Sequence, residues 1–291
     1  MIKVGVFSDE ISDDFERAAK IANNSGVKYF EIRTLWGKGI DKLTDEDVTK
    51  MKQILEKYDI KICCISSPVG KCDFFSEEEF KNHLDILERM FHLCEVFDTK
   101  IIRVFAFWKI DKGPYYVRPD FEKYLDRIVE KVSIFANLAE KHGITLALEP
   151  EGATLVGTCE ETKRVLDGVG SPALTVCWDV VNGWTDGEYP PYPDGYEKIK
   201  GEISHLHIKD IKVDSSNPPM PIRKTAVGEG VMDYTSIFKA LLRDGFSGVA
   251  SIETHLTEVE KEKLSSEEKK KRLEEATIRG IKNLQKVINS L

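Results

Sequence analysis

Short apolar runs alternate with longer amphipathic segments from one end of the chain to the other. The runs at 2–7 (IKVGVF), 28–33 (KYFEIR), 60–65 (IKICCI) and 100–107 (KIIRVFAF) are rich in β-branched and aromatic residues. So are those at 144–149 (ITLALE), 173–179 (ALTVCWD), 203–209 (ISHLHIK) and 248–254 (GVASIET). All eight predict strands. Helices are predicted between them. The segment 12–26 places Phe15, Ala18, Ala19 and Ala22 on one face and stops at a glycine. Segments 44–58 and 76–97 open with a cap residue and an acidic first turn, which suits the helix dipole. The segment 119–143 starts at Pro119 and ends at Gly143. Shorter helices are expected near 159–168 and 194–201, another at 233–244 behind Asp233, and a charged one at about 266–290.

Eight strands alternating with eight helices, without a Gly/Ser linker, predict an α/β chain folded as one (β/α)8 TIM barrel over residues 1–291. A doubly wound open sheet is the competing architecture. It calls for a glycine-rich phosphate loop after the first strand, and VFSDEISDD supplies none. The segment 211–232, after the seventh strand, reads as a long loop.

Within the strands, polarity follows parity, because successive side chains point to opposite faces. Leu206 and Ile208 share one face; His205, His207 and Lys209 share the other. In the fifth strand Ile144, Leu146 and Leu148 oppose Glu149, and in the sixth Leu174, Val176 and Trp178 oppose Asp179. Glu253 opposes Ala250 and Ile252 in the eighth. Four consecutive strands thus end in an inward metal-capable side chain: Glu149, Asp179, His207 and Glu253. Three carboxylates cannot all stay ionised in one confined site without compensation. A divalent cation resolves that conflict, and three carboxylates with one imidazole suit Mn²⁺ foremost, with Mg²⁺, Co²⁺, Fe²⁺ or Zn²⁺ as alternatives.

Composition narrows the class. An apolar share of 41% supports a large core, while the formal charge of −8 argues against nucleic acid or an anionic membrane as the main partner. No apolar run is long enough to span a bilayer, and MIKVGVFSDE reads as a strand and not as a signal peptide, so a cytoplasmic location is expected. The six cysteines form no C-x-x-C pair and read as reduced structural thiols.

Around these residues the chain resembles the xylose isomerase-like TIM-barrel superfamily. That group includes sugar isomerases and epimerases, inosose dehydratase and endonuclease IV. The similarity lies in TLALEPE, VCWDVVNGW, HLHIKD and SIETH, in that order, and in VGEGVMDY before the seventh helix. By that resemblance Glu149, Asp179, His207 and Glu253 bind one metal ion. The implied activity is that of an isomerase or epimerase acting on a sugar, a sugar phosphate or a polyol-derived ketone. Glu149 and Glu253 would move a proton beside a carbonyl through an enediolate.

His205 and Lys209 are candidates for polarising substrate oxygens. Glu31 and Arg33, inward at the end of the second strand, are candidates for binding hydroxyls or a carboxylate, and Trp108 for stacking on a sugar face. Where several relatives carry D-x-x-H, this chain has Asn182, which can only hydrogen-bond a substrate and sets it apart from the ketose 3-epimerases. A dehydratase would use the same groups. A DNA-repair endonuclease and a non-catalytic sugar-binding barrel are further alternatives, and barrels of this type often form homodimers.

Overall fold

The computed structural model describes residues 1–188, 190–213, 222–256 and 264–291. Its contacts divide the chain into two compact units, one of Met1–Cys63 with His207–Leu291 and one of Cys64–Leu206. The main strands are β1 (Lys3–Phe7), β2 (Tyr29–Ile32), β3 (Lys61–Ser66) and β4 (Ile101–Val104), then β5 (Thr145–Leu148), β6 (Leu174–Asp179), β7 (Ile203–Ile208) and β8 (Val249–Ile252). The helices are α1 (Phe15–Asn24), α2 (Asp45–Tyr58), α3 (Glu77–Phe97) and α4 (Pro119–His142). They continue with α5 (Cys159–Val169), the short α6 (Tyr196–Ile199), α7 (Tyr234–Arg243) and α8 (Ser266–Asn289).

In the first unit β1 pairs in parallel with both β2 and β8, in register Gly5↔Tyr29 and Gly5↔Ser251. The Glu253 amide donates to the Ile208 carbonyl at 3.0 Å, which ties the end of β8 to the end of β7. In the second unit β3, β4, β5 and β6 pair in parallel, through Ile65↔Ile102, Ile102↔Leu146 and Leu146↔Leu174. That register sets Ser66, Arg103, Ala147 and Thr175 side by side. The aliphatic parity, with Ile102, Val104, Leu146, Leu148 and Val176, is buried together with Ile128, Val132 and Phe135 of α4 and Val165 of α5.

Local chemistry sets the helix boundaries. Thr44 with Asp47, Thr158 with Glu161 and Ser265 with Glu268 each form a reciprocal capping box. Each satisfies two amides that the helix itself leaves unpaired. The helix expected at 194–201 shortens to α6, because Pro191–Gly195 forms a wider turn in front of it. The expected strand 100–107 ends at Val104, since Phe105, Phe107 and Trp108 turn to donate to the carbonyls of Val69, Gly70 and Cys72. Gly70 is required there: its φ is +86°, and a Cβ would sit 1.9 Å from the Phe105 oxygen.

The expected 211–232 loop is in part regular. Asp210–Val213 and Ile222–Thr225 form an antiparallel ribbon, while 214–221 lie outside the described residues. The buried Asp210 carboxylate organises the turn beyond the ribbon, accepting from the amides of Ile211, Gly228, Gly230 and Met232 at 2.8–3.2 Å. This explains the G-x-G-x-x-D spacing: the two glycine amides reach Asp210, and Asp233 then caps α7. Asp210→Ala leaves these amides without their acceptor and is expected to cost about 2 kcal/mol of stability, read by urea denaturation. An unchanged midpoint would show that Asp210 does not hold this turn.

Candidate metal centre and strand-end site

In the first unit, charged groups converge just past the strand ends. Glu31 closes β2, and its Oε1 lies 3.0 Å from His207 Nε2 near the end of β7, both side chains fully buried. The Phe7 ring meets the His207 imidazole edge-on with centroids 5.0 Å apart, which limits its rotation. Glu253 follows β8 directly and lies among basic side chains. Arg33 Nη1 lies 2.6 Å from its Oε1, His255 Nδ1 3.0 Å from the same oxygen, and Lys209 Nζ 3.0 Å from Oε2. His207 Nδ1 lies 3.6 Å away.

Burial alone would raise the Glu253 pKa, but Lys209, His255 and Arg33 together hold its carboxyl well below the usual range. A carboxyl held so firmly as an anion is a poor proton carrier. Such a carboxyl is suited to bind a cation. Arg33 also donates to Asp9 and to Glu10, each at 3.0 Å, so the guanidinium expected to meet substrate is engaged by three carboxylates of its own chain.

The second unit holds the other two strand-end carboxylates. Glu149 follows β5, and its amide donates to the Val104 carbonyl at 3.0 Å. Its Oε1 accepts from the Asn182 amide at 3.2 Å, and its Oε2 lies 3.4 Å from Arg103 Nε. Arg103 spends its stronger bonds on Ser66 Oγ, at 2.6 and 3.0 Å. Asp179 ends β6 and accepts from the amides of Val181 and Asn182 with one oxygen, at 2.8 and 3.0 Å. Carboxylate oxygens of Glu149 and Asp179 approach within 4.8 Å, as do ligand atoms of His207 and Glu253 in the other unit. His205 is buried with a ring nitrogen within 4.8 Å of the Cys64 sulfur, and Trp108 stands partly exposed past β4.

The expectations from sequence missed Arg103, Glu10 and His255. Arg103 was visible to the parity test, since it opposes Ile102 and Val104 in IIRVF. Glu10 and His255 lie on turns past the strands, where alternation no longer reports direction. There the His255 amide donates to Glu10 at 3.1 Å.

The family model for xylose isomerase-like TIM barrels matches residues 18–280. The chain belongs to that family. Its fold is therefore the (β/α)8 TIM barrel that the alternation predicted. An inosose dehydratase from Bacillus velezensis is 24% identical over 191 residues, covering 60% of this chain and 61% of that protein. The chain thus spans less than two thirds of that relative's length. The probable 3-DHS dehydratase AsbF of Bacillus anthracis, involved in petrobactin synthesis, superposes with a TM-score of 0.70 at 18% identity. The match covers 98% of this chain and 99% of that one. The zinc-bound IolI protein gives 0.70 at 18% identity, covering 96% and 98%. Among the described residues no helix is long and apolar enough to cross a membrane.

Asp186, on the short helix Asn182–Asp186, reports on this site. Burial pushes its pKa up from 3.8 to about 7, opposed by a hydrogen bond from Thr185 at 2.7 Å. The folded state therefore favours the protonated acid. The stability it contributes is full below pH 3.8 and is lost as pH rises through about 7. In chelator-treated protein, Asp186→Asn is expected to flatten the decline in unfolding free energy across that window, a few kcal/mol in size. Parallel wild-type and variant pH profiles would contradict the assignment.

Proposed function

We propose that this chain, acting as one TIM-barrel domain over residues 1–291, is a divalent-metal-dependent enzyme. It removes a proton from the carbon beside a carbonyl of a sugar, a sugar phosphate or a related polyhydroxylated ketone and returns it in isomerised or epimerised form. The reading rests chiefly on the unequal settings of two strand-end carboxylates. Glu253 is held as an anion by Arg33, His255 and Lys209, and Glu149 meets the Arg103 guanidinium at 3.4 Å and the Asn182 amide at 3.2 Å. Unequal proton affinity is what separates a base from a ligand in one site.

Glu149, Asp179, His207 and Glu253 are the proposed metal ligands. The donor set fits: three carboxylates and one imidazole, all buried, and in each unit the pair lies close enough to share an ion. Mn²⁺ is the preferred ion, although Mg²⁺, Co²⁺, Fe²⁺ and Zn²⁺ take the same donors, and the IolI protein of like fold binds zinc. Such an ion, when bound, supplies positive charge where the substrate becomes anionic.

Glu149 takes the proton. Asn182 and Arg103 orient its carboxylate, because the amide that donates to Oε1 also donates to the Pro150 carbonyl at 3.0 Å. Glu31 holds His207 in one orientation through its 3.0 Å contact. Lys209 and His205 polarise substrate oxygens, and Trp108 stacks on an apolar sugar face. The location is the cytoplasm. The partner is a small molecule; nucleic acid and membrane have no part, and a homodimer is compatible.

A second reading, dehydration, is favoured by one observation. With Glu253 held as an anion, the proton that Glu149 takes can pass to the neighbouring hydroxyl, which departs as water, so dehydration needs no acid on the opposite face. The dehydratases among the relatives are consistent with that outcome.

Elemental mass spectrometry on protein purified without chelator or histidine tag is expected to find one ion per chain, lost in Glu149→Gln and in His207→Ala. In D₂O the wild type should place deuterium in a recovered ketose, or release water from it if dehydration is the outcome. Glu149→Gln should slow either reaction by about 10²-fold or more. Wild-type protein that stays metal-free after incubation with manganese or cobalt would sink the metal-dependent reading.

A further inference from the structure

The loops after β3 and β4 enclose a cavity of about 590 Å³ in the second unit, within the range of roughly 300–1,000 Å³ typical of small-molecule sites. Phe75, Trp108 and Tyr115 line it and keep 48%, 40% and 51% of their surface exposed. Asp73, Lys109 and Asp111 share the lining. We propose that this cavity is a second subsite, binding a sugar ring glycosidically attached to the reacting ketone unit. The proposal rests on the reading of the chain as an enzyme of polyhydroxylated ketones and specifies its substrate as a two-ring molecule.

The cavity is built into the backbone. The amides of Phe105, Phe107 and Trp108 donate to Val69, Gly70 and Cys72 on one side. On the other, the Lys109 amide donates to Ala153 and the Leu155 amide to Phe107, both at 2.9 Å. Phe107 adopts φ +63°, a conformation costly for a bulky residue, and this turn carries the Trp108 indole out of the strand direction. The Trp108 backbone is thereby held between the loops after β3 and β5, which reduces the main-chain ordering a ligand must impose.

The lining suits a sugar more than a purely apolar group. Aromatic faces cover the axial C–H face of a pyranose, and its hydroxyls meet charged side chains at the rim. Lys109 Nζ is already paired to Asp111 at 2.8 Å and Asp73 accepts from the Phe75 amide at 2.7 Å, so these carboxylates are held in place. A wholly apolar occupant would strip water from them without return.

The cavity is linked to the proposed base through packed side chains. Lys71 Nζ lies 5.4 Å from the Trp108 ring and 4.0 Å from the Phe105 ring. The Arg103 guanidinium stacks on the same Phe105 ring at 4.1 Å and reaches Glu149 at 3.4 Å. Lys71 is itself fixed by Glu151 at 2.7 Å. A row of cations and rings thus joins the aromatic cavity to Glu149, the arrangement from which the two-ring substrate is inferred.

The test compares calorimetric binding of D-fructose with that of the glucosylated fructoses turanose, leucrose and isomaltulose, and of 6-O-benzyl-fructose, to the protein as purified. At least one disaccharide should bind about tenfold or more tightly than fructose. The double variant Phe75→Ala/Tyr115→Ala, exposed positions whose fold is checked by circular dichroism, should lose that gain while fructose affinity is retained. No gain for any disaccharide, or a gain that survives in the double variant, overturns the subsite. An equal gain with the benzyl ether overturns the sugar assignment in favour of an aryl group. Deuterium exchange on the same compounds separates this proposal from the reaction itself. Exchange or dehydration without disaccharide preference defeats the subsite alone, whereas a variant-sensitive gain with neither exchange nor dehydration supports the subsite and defeats the reaction.

Discussion

A buried carboxylate needs compensating charge, and most of the strand-end architecture stems from that requirement. Taking a carboxylate out of water costs several kcal/mol even after relaxation, and it is tolerated only with well-placed partners. Glu253 meets the condition with Arg33, Lys209 and His255. Arg33 in turn needs Asp9 and Glu10, which explains an acidic turn directly after β1. Removing one member would leave another charge buried alone, so these residues behave as a unit.

Around Glu149 the neighbours differ. Arg103 gives its short hydrogen bonds to Ser66 and approaches Glu149 at 3.4 Å, and the Asn182 amide donates to Glu149. The difference between the two carboxylates is thus one of surroundings, since both are glutamates one residue beyond a strand.

Some positions serve folding so that others can serve the site. Asp210 gathers four amides, and the Tyr234 hydroxyl donates to the Lys209 carbonyl, so the residues after His207 are held by the turn that starts α7. A stretch that reads as a loop by composition is in part a hydrogen-bonded ribbon, because its order comes from one buried acceptor and not from local propensity.

The alternation of polar and apolar residues was enough to place the strands and to single out Glu149, Asp179 and His207, since side-chain direction within a strand is set by local backbone geometry. It also carried Arg103, whose parity marks it as clearly as theirs. The sequence by itself therefore determined the order of elements, the caps that bound the helices and the acidic and imidazole residues at the strand ends. Only the tertiary structure decided which of those charges meet. Glu253 and Arg33 lie 220 residues apart, and Glu10 and His255 sit on turns whose direction no periodicity reports. Proton affinity depends on such neighbours, so the firm ionisation of Glu253 was not available until the chain was folded.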